Sequence, residues 1–174
     1  MCVLSLDIST SSTGWCVTED GKSFTFGTLL ISPKLRSAER LTVFSGMLES
    51  ILKEYSPTQI VQEDIFVGRN VSTMKVLCEF TGISKYICYN TLNIDPFVIS
   101  NKAVKSYFKA KDKQLLFNFM CEILEKEYSF KKDNDRIDSL AQIMCYTDSI
   151  LGIYSYRTDT DYGYIYNGGY ISGE

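Results

Sequence analysis

The chain contains no histidine, and this absence excludes more chemistry than any other feature of its 174 residues. Without an imidazole there is no Ser-His or Cys-His nucleophile, no histidine-ligated zinc site and no imidazole general base. The six cysteines form no C-x-x-C pair, so we expect small, buried, apolar side chains in a reducing compartment. Any reaction must therefore use carboxylates, amines, thiols or bound metal.

Long hydrophobic runs and a positive net charge are also missing. No apolar run of about 18 residues and no charged-apolar-small leader occurs, so we expect a cytoplasmic protein. The formal net charge is −3, and the basic signature of many nucleic-acid-binding proteins is therefore absent. The excess of negative charge lies in the last 27 residues, which carry four acidic side chains and one basic side chain.

One segment of the body is strongly basic. Residues 101–113 carry five lysines against a single acid, Asp112: Lys102, Lys105, Lys109, Lys111 and Lys113. Such a run is typical of a solvated helix face, and it also suits a surface that binds an anionic partner.

The hydrophobic pattern predicts one α/β domain at 1–151. Strands are predicted at 2–8, 14–18, 23–31, 59–66 and 95–100, and helices at 37–55, 71–89, 101–109, 113–128 and 134–151. Because helices separate the strands only after residue 31, we predict a five-stranded mixed sheet, in which parallel strands are added to three antiparallel ones, with helices on both faces. The acidic tail at 152–174, with six tyrosines and five glycines, has no helical period, and we expect it to be partly ordered.

Acidic residues stand at the ends of three predicted elements. Asp7 closes the first strand, Glu63 and Asp64 interrupt the fourth, and Asp135 and Asp138 lie three apart in the last helix. A carboxylate beside a buried strand is costly unless it is paired or binds a cation. Alternation places only one of Glu63 and Asp64 on the face of Asp7. Each acid alone fits an ordinary structural charge, whereas three elements together indicate a shared site.

Converging carboxylates without histidine are typical of sites for hard cations, because Mg²⁺ and Mn²⁺ take oxygen ligands. Two such ions about 3.5–4 Å apart can stabilise the attacking and leaving oxygens of an in-line phosphoryl displacement and can activate water without an imidazole. The residue inventory therefore favours phosphodiester hydrolysis.

Four segments follow one another in a characteristic order. They are LSLDI at 4–8 with TGW at 13–15, QEDIFVGRN at 62–70, the lysines Lys102, Lys105 and Lys113, and DRIDSLA at 135–141. With the order of strands and helices, these segments resemble the RuvC family of Holliday junction resolvases, which have a ribonuclease H-like fold. The resemblance covers residues 1–147. Ile8 and Ser9 stand where the family has Pro-Gly, and Ser139 replaces an alanine.

The resemblance implies roles for individual residues. Two Mg²⁺ ions would bind in each active site, and Mn²⁺ would be able to substitute for them. Their ligands would be Asp7, Glu63, Asp135 and Asp138. Lys105 and Lys113 would contact the scissile phosphate. Further contacts with DNA would come from Phe66, Arg69, Asn70, Lys102 and Lys109, with Phe66 stacking on bases.

The resemblance also implies a function. The implied activity is that of a metal-dependent endonuclease that cuts four-way DNA junctions in recombination and repair. Such an enzyme leaves 5′-phosphate and 3′-hydroxyl ends. Whether this protein also cuts other branched DNA is left open. Paired cuts in a nearly two-fold symmetric junction require a homodimer, with the helix at 71–89 as its interface. A bacterial or phage-infected cell would suit such a protein.

Two alternatives remain open at this stage. The first is a junction-binding module that keeps the fold without catalysis. The second is an actin-like phosphotransferase, since these proteins also open with a strand, an Asp and a Ser/Thr-Gly turn. The second alternative requires another phosphate loop and an adenosine pocket, but this chain is too short for them and has no matching glycine-rich segment.

Overall fold

A mixed β-sheet between two helical layers forms the computed structural model of the chain, which describes residues 1–65, 70–152 and 171–173. The strands are β1 (Val3–Asp7), β2 (Ser12–Thr18), β3 (Phe24–Leu30), β4 (Gln59–Glu63), β5 (Phe97–Ile99) and β6 (Ile171–Gly173). The helices are α1 (Ser37–Tyr55), α2 (Val71–Leu92), α3 (Asn101–Tyr107), α4 (Lys113–Leu124) and α5 (Phe130–Ser149).

The strand order in the sheet is β5-β4-β1-β2-β3-β6. β1, β2 and β3 are antiparallel, whereas β4 is parallel to β1 and β5 is parallel to β4. This arrangement confirms the five predicted strands and the addition of parallel strands to an antiparallel meander. It places the carboxyl ends of β1, β4 and β5 at one edge of the sheet.

A sixth strand comes from the acidic tail. β6 runs parallel to β3, where Ile171 pairs with Phe24 and Gly173 pairs with Phe26. The sequence did not indicate this strand, because three residues with a terminal glycine carry no alternating pattern. Residues 153–170 lie outside the described part of the chain, and the domain boundaries at 1–151 and 152–174 stay a prediction.

Alternation along the strands supplies two apolar layers, one on each face of the sheet. Leu4 belongs to the layer of α1 and α2, in which the rings of Phe44 and Phe80 lie 5.2 Å apart between centroids. Val3, the preceding residue, belongs to the layer of α3, α4 and α5, together with Ile137. The prediction of helices on both faces is therefore confirmed.

Most of α5 lies in the core. Every residue from Ile137 to Thr147 is buried, including the polar side chains of Asp138 and Gln142. α5 begins earlier than the predicted residue 134 because the ring of Phe130 packs against Phe117 at 5.1 Å between centroids. The helix thus brings its own acids against the sheet.

All six cysteines are free thiols, and four of them are buried. Cys121 is half-buried and Cys78 is exposed, so the expectation of uniform burial is wrong for Cys78. The buried residues of α2 include Phe80 and Thr81, whereas Cys78 lies on the outer side of the helix. Within the described ranges, no helix is long and apolar enough to cross a membrane.

Candidate active site

Two carboxyl groups meet where β1 and β4 end. Leu6 pairs with Gln62 in the parallel ladder, so Asp7 and Glu63 follow side by side at the ends of the two strands. Burial, together with the neighbouring carboxyl group of Glu63, raises the pKa of Asp7 well above its ordinary value. Asp64, the next residue, is exposed, as alternation predicts for one acid of this pair.

Close packing between β2 and α5 brings two further acids to the same edge. Gly14 pairs with Asp7 across the β1–β2 ladder, and a Cβ atom on Gly14 would lie 1.9 Å from the carbonyl oxygen of Asp135. The absence of a side chain therefore lets α5 approach the end of β1. Asp135 is half-buried there and Asp138 is buried.

Asp138 forms an ion pair with the first residue of α4. The Nζ atom of Lys113 lies 2.5 Å from Oδ2 of Asp138, while Oδ1 of Asp138 has no hydrogen-bond partner among the described residues. The pKa of Asp138 is raised to about 6: burial is the largest cause, Lys113 opposes it, and the charges of Glu63 and Asp135 add to the upward shift. Repulsion among neighbouring carboxylates thus acts on a buried acid.

Lys113 compensates part of this negative charge. Burial alone lowers the pKa of Lys113, but the attraction of Asp138, Asp7 and Asp135 outweighs burial and raises it above the ordinary value. The ammonium group therefore stays charged among the acids. The structure brings all four predicted metal ligands and one of the two predicted catalytic lysines into a single electrostatic cluster.

The acid cluster has the donor groups that a hard metal ion requires. In the described part of the chain, no group of three or more His, Cys, Asp or Glu side chains is already arranged to hold a metal ion. The donor set is nevertheless made of carboxylate oxygens, one of them the unpartnered Oδ1 of Asp138. Burial and the neighbouring Glu63 raise the pKa of Asp7, which favours a bound proton that a cation can replace. The chemistry of these groups fits a hard divalent cation.

Sequence reasoning missed Asn101, which orients one of the acids. Its Nδ2 atom donates a hydrogen bond to Oε1 of Glu63 at 2.7 Å. Ile99, which ends β5, is paired with Glu63, so α3 begins beside the carboxyl end of β4. An amide two residues beyond a parallel neighbour strand is the signal that could have identified Asn101.

A buried amide lies beside this hydrogen bond. Gln142 of α5 lines a small cavity with Glu63, Asn101 and Asp138. Its Nε2 atom has no hydrogen-bond partner among the described residues. Gln142 therefore adds a donor group to the lining next to two acids.

The other predicted lysines lie on or beside α3. Lys105 is half-buried, Lys102 is exposed, and Lys109 is exposed with a left-handed backbone, at a φ of 53°. None of the three forms an ion pair with any described residue. Unlike Lys113, they are not held by the acids.

Three predicted DNA contacts belong to the segment that follows β4. Asn70 caps α2, because its side-chain oxygen accepts a hydrogen bond from the backbone N–H of Thr73 at 3.2 Å, which is a structural role in itself. Phe66 and Arg69 lie outside the described residues.

Comparison with known proteins identifies a family for this chain. The family model described as "Crossover junction endodeoxyribonuclease RuvC" matches residues 3–146. Curated relatives with that name from Syntrophomonas wolfei and Ehrlichia canis are 26% and 29% identical to this chain. Each alignment covers 86% of this chain, and the alignments cover 90% and 97% of the two relatives.

The fold also matches a solved structure of a protein with the same name. "T. thermophilus RuvC in complex with Holliday junction substrate" superposes with a TM-score of 0.71 at 15% sequence identity. The match covers 88% of this chain and 98% of that chain. This likeness confirms the predicted ribonuclease H-like fold.

Proposed function

The chain belongs to the RuvC family of crossover junction endodeoxyribonucleases, and we propose that it resolves Holliday junctions with Asp7, Glu63, Asp135 and Asp138 as its active-site acids. One observation carries this assignment. Four acids from β1, β4 and α5 lie in one partly buried electrostatic cluster with Lys113. A buried excess of carboxylates is costly for folding. A role in binding cations next to a phosphodiester explains why the protein keeps these carboxylates despite the cost.

The four acids would hold divalent metal ions. We infer Mg²⁺ as the metal, two ions per active site, with Mn²⁺ able to substitute. When bound, the ions supply the positive charge that activates water and stabilises both oxygens of an in-line displacement. Because burial raises the pKa of Asp7 and of Asp138, binding of the ions must displace protons from these acids, and metal affinity should therefore increase with pH.

The lysines would act on the DNA. Lys113 keeps its charge through the ion pair with Asp138, so it can stabilise negative charge that develops on the scissile phosphate. Lys105 is the second candidate for that contact. Contacts with the strands are assigned to Lys102, Lys109, Arg69 and Asn70, and stacking on bases is assigned to Phe66.

A homodimer would supply the two sites that paired cuts require. The outer side of α2 carries exposed apolar residues, among them Val71, Tyr86 and Tyr89, which supports α2 as the interface. The assignment also implies a role in DNA recombination and repair in the cytoplasm of a bacterial or phage-infected cell.

The test is cleavage of a synthetic four-way junction. The protein with Mg²⁺ should introduce paired cuts in opposing strands, leaving 5′-phosphate ends, and chelation of the metal should stop it. Asp7→Asn should bind the junction without cutting it. Asp64→Asn is the matched control, because Asp64 is exposed and adjacent to Glu63, and it should cut normally.

The same experiment separates the alternatives. Protein that binds junctions and cuts with neither Mg²⁺ nor Mn²⁺ would be a non-catalytic binding module, and the proposal would then be wrong. The retained acids favour catalysis, since a module without catalysis has no need to bury them. The family match over residues 3–146 leaves the actin-like phosphotransferase without support.

A further inference from the structure

A basic groove lies beside the active-site edge, between the sheet and the start of α5. Its volume is about 920 Å³. Ser12 of β2 and Thr28 of β3 line the sheet side, and Lys131, Lys132 and Arg136 line the helix side. None of these residues belongs to the acid cluster.

The positive charge of the groove is largely uncompensated. Lys131 and Lys132 are exposed and form no ion pair within the described ranges. The one acid in the lining, Asp133, is engaged, because its carboxylate lies 2.8 Å from the guanidinium of Arg136 and accepts a hydrogen bond from the N–H of Ser129 at 2.7 Å. The lining therefore has two positive charges in excess.

The position of these lysines is unfavourable for the helix itself. They stand in the first turn of α5, where the aligned peptide dipoles already place partial positive charge. Acidic residues are the side chains that stabilise a helix at this place, so Lys131 and Lys132 oppose local stability. A bound polyanion would relieve this repulsion. The groove, the excess charge and the unfavourable placement point to the same kind of ligand.

Each wall of the groove includes a residue that is close in sequence to an active-site acid. Ser12 begins β2, directly after the turn that follows Asp7, and Arg136 follows Asp135 directly. This places the groove on the β2–β3 side of the acids. The lysine-bearing α3 lies on the opposite side, since its Asn101 contacts Glu63 at the end of β4.

We propose that this groove binds the phosphate backbone of a DNA strand of the junction, next to the scissile phosphate and on the side away from α3. The inference rests on the proposed function and adds a second contact region to it. Lys131 and Lys132 would neutralise phosphates, and the hydroxyl groups of Ser12 and Thr28 would be available as hydrogen-bond donors from the opposite wall. Phosphate contacts of this kind position a strand without reading its sequence.

The first test is the salt dependence of junction binding. The double variant Lys131→Ala/Lys132→Ala should bind more weakly at low salt, and the slope of log affinity against log salt should decrease by about 1.8, or ~0.9 for each phosphate that is no longer neutralised. The control, Lys22→Ala/Lys53→Ala, removes the same charge from exposed positions outside the groove and should keep the wild-type slope.

The second test locates the contact. A set of four-way junctions would each carry a single uncharged methylphosphonate in place of one phosphate. At one or two positions beside the cut, this replacement should weaken binding of the wild-type protein and leave the double variant unaffected. Elsewhere on the junction both proteins should respond alike.

The outcomes separate this inference from the proposed function. If the wild-type protein cuts junctions but the double variant shows the wild-type salt slope and methylphosphonate profile, the groove does not bind DNA. Higher affinity of the double variant would also contradict the inference. Failure of the wild-type protein to cut would instead contradict the proposed function.

Discussion

Gly14 lies so close to Asp135 that a Cβ atom on the glycine would be 1.9 Å from the carbonyl oxygen and 2.2 Å from the carbonyl carbon of the aspartate. The contact joins β2 to α5 directly opposite Asp7, the partner of Gly14 in the β1–β2 ladder. A methyl group at this place would push α5 away from the sheet. The geometry of the acid cluster therefore depends on the absence of one side chain.

Gly14→Ala should destabilise the fold and impair cleavage together. Overpacking of a close contact costs about 1–3 kcal/mol, and the displaced helix carries Asp135 and Asp138 away from Asp7. Urea unfolding measures the loss of stability, and junction cleavage at saturating Mg²⁺ measures the loss of activity.

Gly46→Ala is the control for this variant. Gly46 lies within α1, and its Cβ atom would have no neighbour within 4 Å, so alanine there should stabilise the helix by ~0.5–1 kcal/mol. If Gly14→Ala were as stable and as active as the wild-type protein, α5 would not need its close approach to β2.

Lys113→Met should lower the rate of cleavage about 10²- to 10³-fold, the usual effect of removing one group that stabilises transition-state charge. It also leaves Asp138 buried without its partner, so the pKa of Asp138 should rise further. Single-turnover cleavage measures the rate. The control is Lys111→Met, which removes an exposed lysine of the same segment that has no ion pair in the described residues. This variant should cut at close to the wild-type rate. An equal loss of rate in both variants would contradict a specific role for Lys113.

Asn101→Ala should weaken the metal site without altering the chemistry at saturation. The variant removes the hydrogen bond that fixes the carboxylate of Glu63, and loss of such an orienting partner costs about 10- to 100-fold in metal affinity or activity. The Mg²⁺ concentration for half-maximal cleavage should therefore increase, with little change in the maximal rate. Asn118→Ala on α4 is the exposed control. An unchanged Mg²⁺ midpoint with a lower maximal rate would contradict a positioning role.

The metal-free protein should be more stable at about pH 5 than at about pH 7.5, by roughly 1–3 kcal/mol. Burial raises the pKa of Asp138 to about 6, and burial with Glu63 raises the pKa of Asp7. An acid whose pKa is raised by folding stabilises the fold while it is protonated, and this contribution is lost as the pH rises through its folded-state pKa. Urea unfolding in a chelator at the two pH values measures the difference.

Added Mg²⁺ should restore stability at the higher pH and have little effect at the lower one, because the cation competes with protons for the same oxygens. In Asp138→Asn the pH dependence should be weaker. Metal-free wild-type protein whose stability increases from about pH 5 to about pH 7.5 would contradict the upward pKa shifts of Asp7 and Asp138.

Much of the architecture follows from local pattern. Alternating apolar residues divide β1 between two layers, and the strict spacing in α1 fixes its bounds at Ser37–Tyr55, as predicted. That one of Glu63 and Asp64 meets Asp7 also follows from sequence, because the carboxyl ends of neighbouring parallel strands share one edge of the sheet and alternation turns only one of the two acids toward Asp7.

Other parts of the site depend on contacts that no local pattern carries. The ion pair of Lys113 with Asp138 joins two helices, and the hydrogen bond of Asn101 to Glu63 depends on the register between β4 and β5. The contact of Gly14 with Asp135 depends on how closely α5 packs against the sheet. Such relationships are set by tertiary packing and become visible only when the elements are assembled.

The central claim is that acids from β1, β4 and α5 together form a metal site, and anomalous diffraction from crystals soaked in Mn²⁺ tests it most directly. The account predicts anomalous peaks among the carboxylates of Asp7, Glu63, Asp135 and Asp138, with their number giving the number of ions, and loss of these peaks in Asp7→Asn. Crystals in which Mn²⁺ binds elsewhere, or in which the carboxylates remain paired only with Lys113 and with each other at saturating Mn²⁺, would contradict it.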